Sequence, residues 1–322
     1  LIGTDNAIAP TDTSVSYHVG DGTPTAAELQ AAIAAGGVVS VKLYDAAGNS
    51  ISANGPTLVR DLTPPADPAS APASYKDNAG NITNNASTTA TTDDTTPGIF
   101  VGAGLTDTPS LYVDSVKVAA TYDSANGWLT PTVALSSTSH TFAYSLTDAA
   151  GNESGTSPTR TIVVDTNPPT APSAAPASYN DNQGTITNTA STAATTDDTT
   201  PGIFVGAGLA DTPSLYVNGA KVAATYDSAN GWLTPTTALT PSASPYTVSY
   251  TLTDAAGNES GQSPTRSITI DTTPPADPAS APASYNDNAG TSTNTASTAA
   301  TTDDATPGIF VGAGLADTPS LY

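Results

Sequence analysis

The chain has no cysteine and no methionine, two histidines, and seven Lys and Arg against 29 acids. Each shortage excludes something. Without Cys there is no disulfide framework, no thiolate metal site and no cysteine nucleophile. Seven cations in a chain of net charge -22 cannot displace the counterions of a nucleic acid, so nucleic-acid binding is excluded. No apolar run approaches the roughly 18 residues of a spanning helix, and no membrane span is expected. With two His, hydrolytic and zinc chemistry lacks parts. No base recurs beside the abundant Ser and Thr, so the chain is expected not to be an enzyme. Aromatics at 6% and hydrophobics at 37% of 322 residues allow small cores only. The start, Leu1-Ile2-Gly3, carries no basic or apolar leader and reads as a mature or excised piece whose targeting signal lies outside it. Zero Cys with abundant Thr, Ala, Ser, Asn and Asp fits a bacterial surface or secreted protein.

What the chain has is repetition. The segment Asp93 to Leu105 returns at Asp197 to Leu209, and again at Asp303 to Leu315 with Ala305 for the first Thr, at offsets of 104 and 106 residues. Trp128 and Trp232 are 104 apart but Glu153 and Glu259 are 106 apart, which places two inserted residues where the four residues Ser136–Ser139 align with the six of Thr240–Pro245. An insertion tolerated there marks a surface turn between strands. A period near 105 suits a self-sufficient domain rather than a solenoid unit. Each period closes on paired prolines, Pro64-Pro65, Pro168-Pro169 and Pro274-Pro275. Such pairs break a sheet ladder and hold the chain extended, so they read as short linkers. The expected domains are a partial, divergent piece over 1–62, full repeats over 66–167 and 168–273, and the front half of another over 274–322.

Within a repeat the local signals are strand and turn. Pro97–Leu105, Ser110–Tyr112, Lys117–Tyr122, Thr141–Thr147 and Arg160–Asp165 are short apolar or alternating runs. Asn126-Gly127, Asn218-Gly219 and Asn230-Gly231 are hairpin turns, because Asn and Gly accept positive φ. About seven strands per repeat predict an all-β chain of tandem immunoglobulin-like β-sandwiches joined by short Pro-Pro linkers. The expected core is Ile99, Val101, Leu111, Val118, Trp128, Leu129, Phe142, Tyr144, Leu146, Ile162 and Val164. Trp128 and Trp232 are expected inside rather than against a ligand, and His18 and His140 on the surface. Gly102-x-Gly104 reads as a bulge within a strand, not a phosphate loop. Ser74 to Thr92 lacks apolar periodicity and reads as a strand edge with a long polar loop. One short helix is expected at about 25–35, after Pro24 and before Gly36-Gly37, docked by Leu29 and Ile33.

The acids gather at turns and repeat. Asp77-Asn78-Ala79-Gly80 has copies at Asp181 and Asp287; Asp93-Asp94 has copies at Asp197-Asp198 and Asp303-Asp304. Asp148 to Glu153, with Asn152, is matched by Asp254 to Glu259, with Asn258. A single Asp61, Asp165 or Asp271 precedes each proline pair. Adjacent carboxylates among Asp and Asn oxygens suit calcium, which takes roughly six to eight oxygen ligands in loose geometry. The expected ligands are Asp61, Asp93, Asp94, Asp148, Asn152, Asp165, Asp197, Asp198, Asp254, Asn258 and Asp271, with calcium bridging each junction between repeats. In sandwich topology the Asp93-Asp94 loop, the Asp165 linker and the Asp254–Asn258 turn of the next repeat should meet at one junction. Ordinary turn formation by Asp and Asn-Gly is the alternative.

Asp148 to Ser154 with Val164 to Pro169, Asp254 to Ser260 with Ile270 to Pro275, and the Asp-Asp-Thr-Thr-Pro stretches at 93–97 and 197–201 resemble the bacterial immunoglobulin-like (Big) repeats of giant biofilm adhesins. The resemblance covers residues 66–322 and, loosely, 39–65. It implies extended tandem sandwiches, calcium at domain junctions, and a cell-surface spacer. The expected function is a non-catalytic structural region of an extracellular bacterial adhesin or surface fibre. Its partners would be neighbouring repeats and, in a fibre, copies of itself. Two alternatives stand beside it: a self-assembling filament subunit whose end half-domains complete each other by strand addition, and a carbohydrate-binding accessory module.

Overall fold

The computed structural model describes residue 31 and residues 38–44, 47–57, 61–291 and 293–321. Of the helix expected at 25–35 only Ala31 lies among them, so that expectation falls outside the described residues, as does His18. The described architecture is all-β. Strands β1 (Val38–Tyr44) and β2 (Ser50–Thr57) pair antiparallel.

Two compact units divide the chain. One comprises Leu1–Ser173, Leu209–Ser214 and Tyr250–Ser263; the other comprises Ala174–Gly208, Leu215–Ser249 and Pro264–Tyr322.

After β1 and β2 the first unit continues with β3 (Tyr75–Asp77), β4 (Asn84–Ser87), β5 (Thr91–Thr92), β6 (Gly98–Phe100), β7 (Thr108–Val113), β8 (Val116–Val118), β9 (Ala120–Asp123), β10 (Trp128–Pro131), β11 (Ser139–Thr147) and β12 (Arg160–Val164). They form two five-stranded sheets, ordered β4-β3-β6-β10-β9 and β5-β12-β11-β7-β8. All pairs are antiparallel except β5 with β12, where Thr91 stands opposite Val163. Side chains alternate across each strand, so β7 turns Pro109, Leu111 and Val113 inward and leaves Ser110 and Tyr112 half-buried. Tyr75, Ile99 and Leu129 from the first sheet pack with Leu111, Val113, Phe142 and Ile162 from the second, which places the sheets face to face. Burying each such side chain is worth about 1.5–3 kcal/mol.

Four sequence expectations need correction. The stretch 74–92 starts with a strand as expected, but no long polar loop follows: β4 and β5 come after β3, and Tyr75 is fully buried. The Tyr75 hydroxyl donates to Thr91 O at 2.8 Å, giving a polar tip inside the core its partner. Trp128 is not in the core; on β10 it alternates with buried Leu129 and faces outward, half-buried. Val118 and Tyr144 are half-buried but pack against the core, whereas Leu146 is only half-buried. His140 is buried rather than on the surface, with Nδ1 2.7 Å from Asp114 Oδ2. Finally, β6 ends at Phe100, and Gly102 and Gly104 lie in the turn beyond it at φ of 108° and 64°.

In the second unit Asn188–Ser191, Tyr179–Asp181, Gly202–Phe204, Trp232–Pro235 and Ala224–Asp227 form one sheet in that order. Thr195–Thr196 runs parallel to Arg266–Ile270, and Tyr246–Thr253 pairs antiparallel with the same strand. Tyr179, Ile203, Leu215, Leu233, Val248 and Ile268 are buried there, and Trp232 again alternates outward. Residues 281–311 hold a three-stranded sheet of Ser284–Asp287, Asn294–Ser297 and Gly308–Phe310. The inserted residues at 240–245 lie largely exposed between strands, as expected of a surface turn.

Candidate metal centre

Two short elements bring acids together in the first unit. On β3 the inward alternation that buries Tyr75 also buries Asp77 two residues later, at 4% exposure. The chain then turns through Asn78 to Gly80, the last at φ 58°. After β5 it reaches Asp93 and Asp94. Asp94, at 3% exposure, is held by its own loop: Oδ1 accepts Thr96 N at 2.8 Å, Oδ2 accepts Asn78 N at 3.3 Å, and its N–H donates to Thr92 Oγ1. This carboxylate staples the turn.

Asp93 is different. Its carboxylate lies against Gly80, and Oδ1 is buried without a hydrogen-bond partner. Its backbone N–H donates to Ala256 O at 3.1 Å, and Asn81 N donates to Gly257 O at 3.3 Å. Gly257, at φ 109°, sits where a side chain would press on Ile82 N and Asp93 Oδ2. The 254–258 turn is closed by Asp254, whose Oδ1 accepts the N–H groups of Ala256, Gly257 and Asn258 at 2.9–3.0 Å. Asn258 Nδ2 reaches Asp165 O at 2.8 Å. Burial raises the Asp93 carboxyl above its ordinary value, and the charges of Asp77, Asp254 and Asp94 raise it further. Burial likewise raises Asp77.

The other expected ligands divide by role. Asp94 and Asp254 lie close enough for their charges to act on Asp93. Asp165 contributes its backbone carbonyl, while its carboxylate accepts Asn167 N at 3.0 Å. Asp61 and Asp271 cap their linkers in the same way, accepting Thr63 N and Thr273 N at 2.9 Å. Asp148 closes its turn on Ala150 N and Asn152 N, and Asn152 Nδ2 approaches Asp61 O at 3.3 Å. The Asn152 amide holds the Asp148 carboxyl below its usual range.

Asp77, Asp181 and Asp287 were missing from the expected set, because Asp-Asn-x-Gly is a common turn when read alone. Their recurrence beside each Asp pair was the available signal. In the second unit Asp181 is 7% exposed with Oδ1 unpartnered, and burial raises its carboxyl, with Asp197 and Asp198 adding to it. Asp197 lies against Gly184 as Asp93 does against Gly80, and Asp198 is stapled by Thr200 N. Asp287 Oδ1 is also buried and unpartnered, and Asp303 lies against Gly290.

Among the described residues, no group of three or more His, Asp or Glu side chains is placed to hold a metal ion. Calcium does not depend on carboxylates alone, and the unpartnered Oδ1 of Asp93 together with mutually repelling acids fits a hard cation. Neither a family model nor a curated protein matches the chain.

Proposed function

We propose that this chain is a non-catalytic structural repeat region of an extracellular bacterial adhesin or surface fibre, acting as a spacer that calcium stiffens. The observation that carries the reading is the hydrogen bonding of the 254–258 turn to Asn81, Asp93 and Asp165 beside an unpartnered buried carboxylate oxygen. One repeat's turn thereby engages the front loop and outgoing linker of the repeat before it. Near-identical successive copies suit a spacer built from stacked, similar modules. The strand orders β4-β3-β6-β10-β9 and β5-β12-β11-β7-β8 support an immunoglobulin-like sandwich for each repeat.

Asp93, whose Oδ1 is unpartnered, would supply the carboxylate to the ion, with backbone and amide oxygens of the two loops completing its shell. Bound there, calcium supplies charge neutralisation and cross-links the two loops. A cation there would relieve the charges of Asp77, Asp254 and Asp94 that press on the Asp93 carboxylate, so binding and folding are coupled. Melting of the 322-residue chain in calcium and in chelator tests this. Stabilisation of about 2.7 kcal/mol is expected at a hundredfold excess over Kd, together with smaller dimensions in chelator by X-ray scattering. Equal melting and dimensions in both buffers would remove calcium from the account.

A further inference from the structure

Phe100 and Trp128 meet edge to face, ring centroids 5.2 Å apart at 66°, on the side of their sheet turned from the core. Phe100 keeps 36% of its surface exposed. In the strand register Trp128 stands between Phe100 on β6 and Asp123 on β9. Beside that row Thr130 stands opposite Thr121, and Lys76 opposite Gly98. The second unit repeats the arrangement: Phe204 and Trp232 are 5.1 Å apart at 64°, Trp232 stands opposite Asp227, and Thr234 opposite Thr225. Phe204 is half-buried where Phe100 is exposed, and the cation differs. Asn180, opposite Gly202, takes the place of Lys76.

An occupant of this face must match three chemistries. Exposed aromatic rings stack on the apolar C–H face of a pyranose or on a cation. Asp123 and Asp227 are exposed and ionised, each held below the usual carboxylate range by an Asn amide in its own turn. The threonine hydroxyls exchange hydrogen bonds with hydroxyls. A chain of net charge -22 repels anionic glycans, and a neutral glycan brings no opposite charge to a carboxylate whose partners are the N–H groups and Asn amide of its own turn. A lysine-rich peptide satisfies the carboxylate but offers no ring.

We propose that this outer face binds a hexosamine polymer carrying free amines, its pyranose faces on the Phe–Trp pair and an ammonium on the neighbouring Asp. The Asn180 face is the stronger of the two, because Lys76 already supplies a positive charge near Asp123. The proposal is independent of calcium and of the spacer reading, and it is tested in chelator.

The probes are a fully deacetylated glucosamine hexamer, its N-acetylated counterpart and hexalysine, titrated against the whole chain by calorimetry and Trp fluorescence. The deacetylated hexamer is expected to bind, with Trp232→Ala and Asp227→Asn each weakening it about fivefold to tenfold. Asn180→Lys weakens it about threefold and Lys76→Asn strengthens it. These last two exchange residues already present at equivalent positions, so they keep the test valid should Trp232→Ala fail to fold. Equal binding of the N-acetylated hexamer, equal binding of hexalysine with the same loss in Trp232→Ala, no binding of the deacetylated hexamer, or indifference to the Lys–Asn exchange would each overturn the proposal.

Discussion

The carboxylate of Asp93 occupies the space that a side chain on Gly80 would need, and a Cβ built there overlaps Oδ2. The same holds for Asp197 on Gly184 and Asp303 on Gly290. A glycine at positive φ thus serves twice, as a turn and as the seat of an acid. Gly80→Ala carries the roughly 1–2 kcal/mol cost of a left-handed alanine plus displacement of the carboxylate. Gly104, at φ 64° with nothing within 4 Å, isolates the first cost. Urea unfolding should show Gly80→Ala losing clearly more stability than Gly104→Ala; equal losses would show that the carboxylate moves aside freely.

The raised carboxyls of Asp77, Asp93 and Asp181 have a signed consequence for pH. Between the ordinary value of 3.8 and the raised folded value, the folded chain holds more protons than the unfolded chain. Stability therefore rises as pH falls into that window and is lowest above it. In chelator, the melting temperature should climb as pH is lowered from neutral toward the ordinary carboxylate value of 3.8. Asp77→Asn should raise melting at pH 7 and flatten the climb. A melting temperature that falls over that range would contradict the burial of these acids.

Glu153 behaves in the opposite sense. Lys117, then Ser145 and Tyr112, lower its carboxyl from 4.5 to about 2. Its contribution is present above pH 4.5 and lost as pH falls toward about 2. The Lys117–Glu153 pair, at 2.7 Å, is 48% and 34% exposed, so Lys117→Ala should cost under about 1 kcal/mol. In that variant the carboxyl, followed by NMR, should titrate higher yet stay below 4.5, because the two hydroxyls still donate.

His140 and Asp114 change together between repeats, to Tyr246 and Asn218. Asp114 Oδ1 and Asn218 Oδ1 accept the same backbone N–H, from Thr141 at 2.8 Å and Thr247 at 2.9 Å. His140 Nε2 lies 3.0 Å from Ser136 O, and the Tyr246 hydroxyl donates to Thr240 O at 2.8 Å. The ring ties the preceding loop in both repeats, while the carboxylate is needed only where the ring is imidazole. Asp114→Asn and His140→Tyr should each destabilise, and the double variant should lose less than their sum by about 0.5–3 kcal/mol. Additive losses would deny the coupling.

The repeats, the strand runs and the Asn-Gly hairpins were legible because period and turn chemistry are local properties. Gly127 and Gly231 take the positive φ expected of them, both at 82°. Tyr75 was not legible, since the residues around it are polar and only cross-strand pairing with Ile99 makes it core. Trp128 misled for the converse reason: size predicts burial, yet the parity of β10 is set by Leu129, which enters the core. At the acidic fronts the Asp93 loop and the backbone carbonyl of Asp165 both hydrogen-bond the 254–258 turn, while the Asp165 carboxylate, expected as a ligand, accepts Asn167 N instead. Which carboxylates close their own turns depends on atoms rather than spacing.

Gly98–Phe100 and Gly202–Phe204 share sequence and register, Ile99 opposite Tyr75 and Ile203 opposite Tyr179. Either strand therefore fits the other's slot, and during folding nothing in the side chains rejects the wrong copy. Selection falls to chain length alone. The wrong Ile is roughly five times farther along the chain from Tyr75, which adds about 1.5 kcal/mol of loop-closure entropy. That is about a tenfold kinetic preference for the correct partner, so a measurable minority of molecules released from denaturant together should first trap exchanged strands and refold slowly.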